Sequence, residues 1–197
     1  MLATNYRGTS WLPFIGTGPT NHRPSLATLR RRLETRAGPI QVAPPPPGVP
    51  LARWCTALHE AGHAVLAVAI GGLVYELNVY TDRDGSARCS FRANNSDVER
   101  LAQLRAGGLA EHHVGGRAWP GCVSKLDHAQ ASTELRAHRA PQATLIRADA
   151  LAMRVIRNEQ TTIFALAKRL AHTGHLAGPS LAGLLQNIEP VGGSITN

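Results

Sequence analysis

Apolar residues change their period several times along this 197-residue chain, and each change marks an element. From Leu51 to about Ile70 they recur at helical spacing, and Gly71-Gly72 supplies the stop expected just past a helix. Leu73 to Thr81 is rich in β-branched and aromatic residues (Val74, Tyr75, Val79, Tyr80) and predicts a strand. Asp82-Arg83-Asp84-Gly85 is a turn signal, and the alternating stretch Ser86 to Arg92 predicts a returning strand, so a hairpin follows the helix. Ser96, with Glu99 three residues later, forms a capping box for a second helix that runs to about Val114 and stops at Gly115-Gly116. Trp119-Pro120-Gly121 marks a loop, and a third helix is expected from near Ser124 to about His138. Pro141 opens a long Ala/Arg/Leu helix to about His172, Gly174 breaks it, and Pro179 to Gln186 closes the pattern as a short helix. The expected class is mainly α with a small β-hairpin or sheet.

Composition fits this reading. Hydrophobic residues make up 43% of the chain and aromatics only 5%, so the core is built mostly from Ala, Leu, Val and Ile, which suits helices better than a sandwich or barrel. Residues 1–50 differ from the rest. They hold nine of the thirteen prolines and six arginines against one acid, Glu34, which is 6 − 1 = +5 of the formal +8. Only Leu26 to Arg36 there resembles a helix, and Pro44-Pro45-Pro46-Pro47 reads as a stiff extended linker. The expected organisation is therefore a flexible Pro/Arg-rich extension, 1–50, and a folded domain, 51–197. Arg30-Arg31-Arg32 would suit contact with nucleic acid or an acidic lipid surface, but no basic stripe interleaved with aromatics follows, so a solvated tail is the favoured reading and nucleic acid is not an expected partner. The three cysteines, Cys55, Cys89 and Cys122, form no C-x-x-C pair, which suits a reducing, cytoplasmic setting. The longest apolar run, Ala64 to Tyr75, is shorter than the roughly 20 residues of a spanning helix, so no transmembrane segment is expected.

The chemistry sits in the first helix. His59-Glu60-Ala61-Gly62-His63 is an H-E-x-x-H sequence. Residues four apart share a helix face, so His59 and His63 can offer two imidazoles to one metal ion, and Glu60 can reach a water beside it. A chance match on a buried helix is the competing reading. Small residues at both variable positions and the apolar continuation Ala64 to Val68 favour the metal. A hydrolytic zinc takes a third protein ligand, and spacing leaves Glu111, His112, His113, Asp127 and His128 open. Asp127 also suits a helix N-terminus, where its charge complements the dipole.

Three segments resemble the peptidase domain of the FtsH-type ATP-dependent zinc proteases. Ala57 to Val65 is similar to its metal helix. Ala106-Gly107-Gly108-Leu109-Ala110-Glu111 is similar to its A-G-R-A-A-E segment, and Asp127-His128-Ala129-Gln130-Ala131-Ser132 to its N-D-L-x-x-A-T segment. The resemblance spans roughly residues 51–190. It implies a zincin-like helical metalloprotease domain with His59, His63 and Asp127 as zinc ligands and Glu60 as catalytic base. Gly108 and Leu126 depart from the family's usual Arg and Asn, and Asp127 follows His63 by 127 − 63 = 64 residues, fewer than usual. No G-x-x-x-x-G-K-[ST] occurs, so this chain has no P-loop for ATP.

The expected activity is that of a stand-alone, ATP-independent zinc endopeptidase. Its substrates would be unfolded chains or peptides, held by strand addition along Ser86 to Arg92 and delivered, where needed, by a separate unfoldase or adaptor. No donor to the developing oxyanion is identifiable from the sequence, and His128 is only a guess. The alternative expectation is a catalytically silent module that keeps this fold to bind a partner.

Overall fold

The computed structural model describes residues 42, 44–81, 84–90, 95–115, 125–136 and 141–191, without the side chains of residues 125, 126 and 128. The expected helix at Leu26 to Arg36, the Trp119-Pro120-Gly121 loop, the helix start at Ser124, the helix end at His138, the tip of the 82–85 turn and the side chain of His128 lie outside the described residues. Among the described residues, six helices and three strands follow in the order α1 Leu51–Ala69, β1 Leu73–Thr81, β2 Asp84–Ser90, α2 Asp97–Val114, α3 Lys125–Arg136, α4 Pro141–Asn158, α5 Gln160–Thr173, β3 His175–Ala177 and α6 Gly178–Leu185. The protein is mainly helical, with one small antiparallel sheet.

The proline run is not extended to its end. Pro47-Gly48 forms a turn in which the Val49 N–H donates to the Pro46 carbonyl at 3.1 Å and Gly48 takes φ +77°. Proline followed by a left-handed glycine is the type II preference, and it aims the chain into α1. That helix is buried nearly all round, as a central helix should be. Its C-terminus closes as the two glycines predict. Gly71 at φ +81° donates to the Val68 carbonyl, and Gly72 donates to the Ala67 carbonyl, the paired bonds of a Schellman stop.

The hairpin forms and gains a third strand, giving the order β2-β1-β3. Pairing of β2 starts at Asp84, against Thr81, two residues earlier than the alternation suggests. Register shifts fall at Tyr75 and Tyr80, which point to solvent at 50% and 62% exposure, while Leu77 and Val79 face the core. β3 was not expected. Gly174, left-handed at φ +74°, turns the chain out of α5 and accepts from the Val79 N–H, and His175 to Ala177 then align with Asn78 to Glu76.

The long helix expected over 141–172 is two helices. Glu159 leaves helical geometry (φ −105°, ψ 20°), although its N–H still reaches the Val155 carbonyl and its own carbonyl receives the Ile163 N–H. The physical reason is that the two halves have different partners: α4 packs on α2, and α5 packs on α1, where Trp54 and Phe164 meet edge to face at 5.5 Å. Glu159 takes the bend between Asn158 and Thr161-Thr162, all weak helix formers, and its carboxylate accepts from the Thr162 hydroxyl. At α2 the expected capping box is present, with the Ser96 hydroxyl accepting from the Glu99 N–H and the Glu99 carboxylate accepting from the Ser96 N–H.

Candidate metal centre

α1 and α2 cross through small residues, and the crossing sets the site. A Cβ placed on Gly62 would stand 2.5 Å from the Ala110 Cβ and 2.8 Å from the Ala106 carbonyl, so only glycine lets the helices approach this closely. One turn along α2, a Cβ on Gly107 would lie 2.5 Å from His63 Nε2 and 2.6 Å from His59 Nε2. The missing side chain leaves open the space the two imidazoles face. α3 brings Asp127 to the same space from its first turn. His59 Nε2 and His63 Nε2 are 3.1 Å apart, and Asp127 Oδ2 is 2.8 Å from the first and 3.2 Å from the second.

The outward nitrogens settle what the inward ones carry. His63 Nδ1 lies 2.8 Å from the Gln103 carbonyl, which can only accept. His59 Nδ1 lies 3.3 Å from Glu111 Oε2, a carboxylate buried at 4% exposure. Both Nδ1 atoms therefore carry hydrogen, and in the neutral rings both Nε2 atoms present lone pairs. Two nitrogen lone pairs and a carboxylate oxygen converge on one point, which requires a cation there, either a proton or a metal ion.

The electrostatics follow from the same contacts. Burial lowers the His59 pKa, but hydrogen bonds with Asp127 and Glu111 and the charge of Glu60 outweigh it and raise it to about 9. Burial raises that of Asp127, yet its hydrogen bonds with the two histidines pull it well below the usual carboxylate range. Glu60, 6% exposed, is pushed up by burial, with the charges of His63 and His59 opposing.

The structure thus brings His59, His63 and Asp127 together, and among the described residues they are a group whose donor atoms, all within 4.8 Å, can hold a metal ion. Glu60 lies beside them on α1, its carboxylate against β2, where a Cβ on Gly85 would come 2.9 Å from Oε1. Of the other third-ligand candidates, Glu111 stands behind His59 rather than in the cluster. His112 and His113 pair edge to face with each other in the last turn of α2. Sequence reasoning overlooked Gln103, Gly85 and Gly107. Gly107-Gly108 inside a helical pattern was the available signal, since a mid-helix glycine costs about 1 kcal/mol against alanine and points to a packing need. No family model matches the chain, and no curated protein matches it.

Proposed function

We propose that this protein is a zinc-dependent endopeptidase with a zincin-like, FtsH-like peptidase domain. It would cleave unfolded chains or peptides through a water activated by Glu60. The observation that carries the reading is the convergence of the two Nε2 lone pairs and Asp127 Oδ2 within 3.2 Å, with both Nδ1 atoms already committed outward. The residues fit zinc. Two imidazoles and a carboxylate are a usual hydrolytic donor set, and bonds of about 2.0–2.1 Å at tetrahedral angles put donors about 3.3 Å apart. The space opposite Gly107 is of the kind a bound ion needs.

When bound, zinc supplies Lewis-acid polarisation of the substrate carbonyl and acidifies a water. The protein's own residues do the rest. Glu60 accepts a proton from the attacking water and delivers it to the departing amide nitrogen, and its burial raises proton affinity toward that of a working acid–base pair. β2 forms an outer strand of the sheet, and its Gly85 abuts the Glu60 carboxylate. A peptide added along that edge would run past the base. These 197 residues hold no P-loop, so ATP-driven unfolding of a folded substrate would be supplied from outside this segment, by an unfoldase or adaptor. No helix among the described residues is long and apolar enough to cross a membrane.

The test is zinc stoichiometry together with chelator-sensitive cleavage of an unfolded protein such as reduced, alkylated casein. One zinc per chain, and cleavage that falls about 10²–10⁴-fold in Glu60→Gln with zinc retained, is the expected result. Full activity in Glu60→Gln would overturn the mechanism. Stoichiometric zinc without any cleavage would instead favour a catalytically silent binding module.

A further inference from the structure

Gln103 is joined to His63 twice. Its main-chain carbonyl accepts from His63 Nδ1 at 2.8 Å, and its side-chain Nε2 donates to the His63 carbonyl at 2.9 Å. The two residues are 40 apart in sequence and lie on different helices, so the bonds form a closed clamp between α1 and α2. The orientation of the amide is fixed by chemistry, since only its N–H can meet a carbonyl. Its Oε1 is then left buried, with no hydrogen-bond partner among the described residues, in a side chain only 7% exposed.

That orphan oxygen is informative. An unsatisfied buried acceptor is a cost to stability, which an apolar side chain of similar shape would avoid. The α1–α2 contact does not need the amide, because Gly62, Ala106 and Ala110 already bring the helices into main-chain contact. What the amide adds is local. It pins the Gln103 main chain to the His63 main chain, so the carbonyl that holds the imidazole cannot drift from the ring it orients.

We propose that Gln103 is a positioning residue for the metal centre, acting through His63 to hold its Nε2 on the shared point. This rests on the metal reading above. Partners that orient a ligating histidine are worth about tenfold to a hundredfold in metal affinity, and that range is expected here.

The experiment compares wild type with Gln103→Met, which keeps the length and removes the polar atoms, and Gln103→Glu, which keeps the shape and loses the donor when ionised. Zinc dissociation constants are measured by competition with a chromophoric chelator, and the melting temperature of each zinc-free protein is measured alongside. The expected result is zinc binding about tenfold to a hundredfold weaker in both variants, with the zinc-free Gln103→Met protein melting no lower than wild type. Unchanged zinc affinity, or a zinc-free Gln103→Met protein that melts lower or fails to fold, would overturn the proposal by making Gln103 a structural residue. Absence of zinc binding by wild type is a separate outcome that removes the metal reading itself, and this inference with it.

Discussion

Adding one methyl group at Gly107 tests the candidate metal centre at its tightest point. A Cβ there would stand 2.5 Å from His63 Nε2 and 2.6 Å from His59 Nε2. Comfortable contact between such atoms begins near 3.5 Å, so the overlap is about 1 Å on each ring. Two motions could relieve it. The helices could part, but Gly62 already holds α1 within main-chain contact of Ala106, and many packed residues would have to follow. The rings could swing instead, which costs the fold little and takes the ligands off their shared point. Zinc sites with four ligands bind with about 10–16 kcal/mol, or about 3 kcal/mol per ligand. One displaced histidine therefore weakens zinc at least about a hundredfold. Alanine is the better helix former by about 1 kcal/mol, which offsets residual strain in the zinc-free state. Gly107→Ala should thus lose zinc in a chelator competition while the zinc-free protein melts close to wild type. Zinc affinity within threefold of wild type would refute this account of the site.

Two further outcomes follow from the same structure. Asp127→Ala should drop metal content from one zinc per chain to a small fraction. Added zinc should raise amide protection across Lys125–Arg136 in wild type but not in that variant, and equal metal content in both would remove Asp127 as third ligand. Burial, with the Glu111 charge, pushes the Cys55 thiol up to about 11; burial, with the Glu60 charge, pushes Cys89 up to about 12. Since the folded values lie above the unfolded one near 8.5, the associated stability is complete below that pH and is lost as pH rises toward 11. Both thiols should alkylate far more slowly at pH 8.5 in the native protein than in urea, as mapped by mass spectrometry; equal rates would contradict their environments.

The parts of the fold that were legible in sequence are those written in local periodicity. His59, Glu60 and His63 lie within one turn, so their common face needs no tertiary information. The Gly71-Gly72 stop and the Ser96–Glu99 box are likewise local chemistry. The illegible parts depend on what lies across the core. β3 has only three residues, too few to show alternation, and exists because Gly174 delivers it to β1. The break at Glu159 reflects two helices with two partners. Spacing left five third-ligand candidates because only the docking of α3 decides among them. Glu111 was a reasonable candidate by residue type, yet it reaches Nδ1 of His59, and no sequence rule distinguishes the two ring nitrogens.

The glycine and alanine seam between α1 and α2 has one more consequence. Where helices meet through large side chains, their spacing drifts whenever a neighbour repacks; here the spacer is backbone, which has no rotamers to change. The distance from the two imidazoles of α1 to the α2 main chain at Gly107 is held by a ruler that core substitutions elsewhere cannot lengthen. It limits the room beside the two Nε2 atoms, where a Cβ on Gly107 would already stand within 2.6 Å. On the zinc reading, an ion with bonds near 2.0–2.1 Å would fit that room better than calcium, which asks for about 2.3–2.6 Å and more oxygen ligands. Thermal tolerance and metal choice should therefore be separately evolvable in this protein, one through its aliphatic interior and the other through a few atoms of main chain.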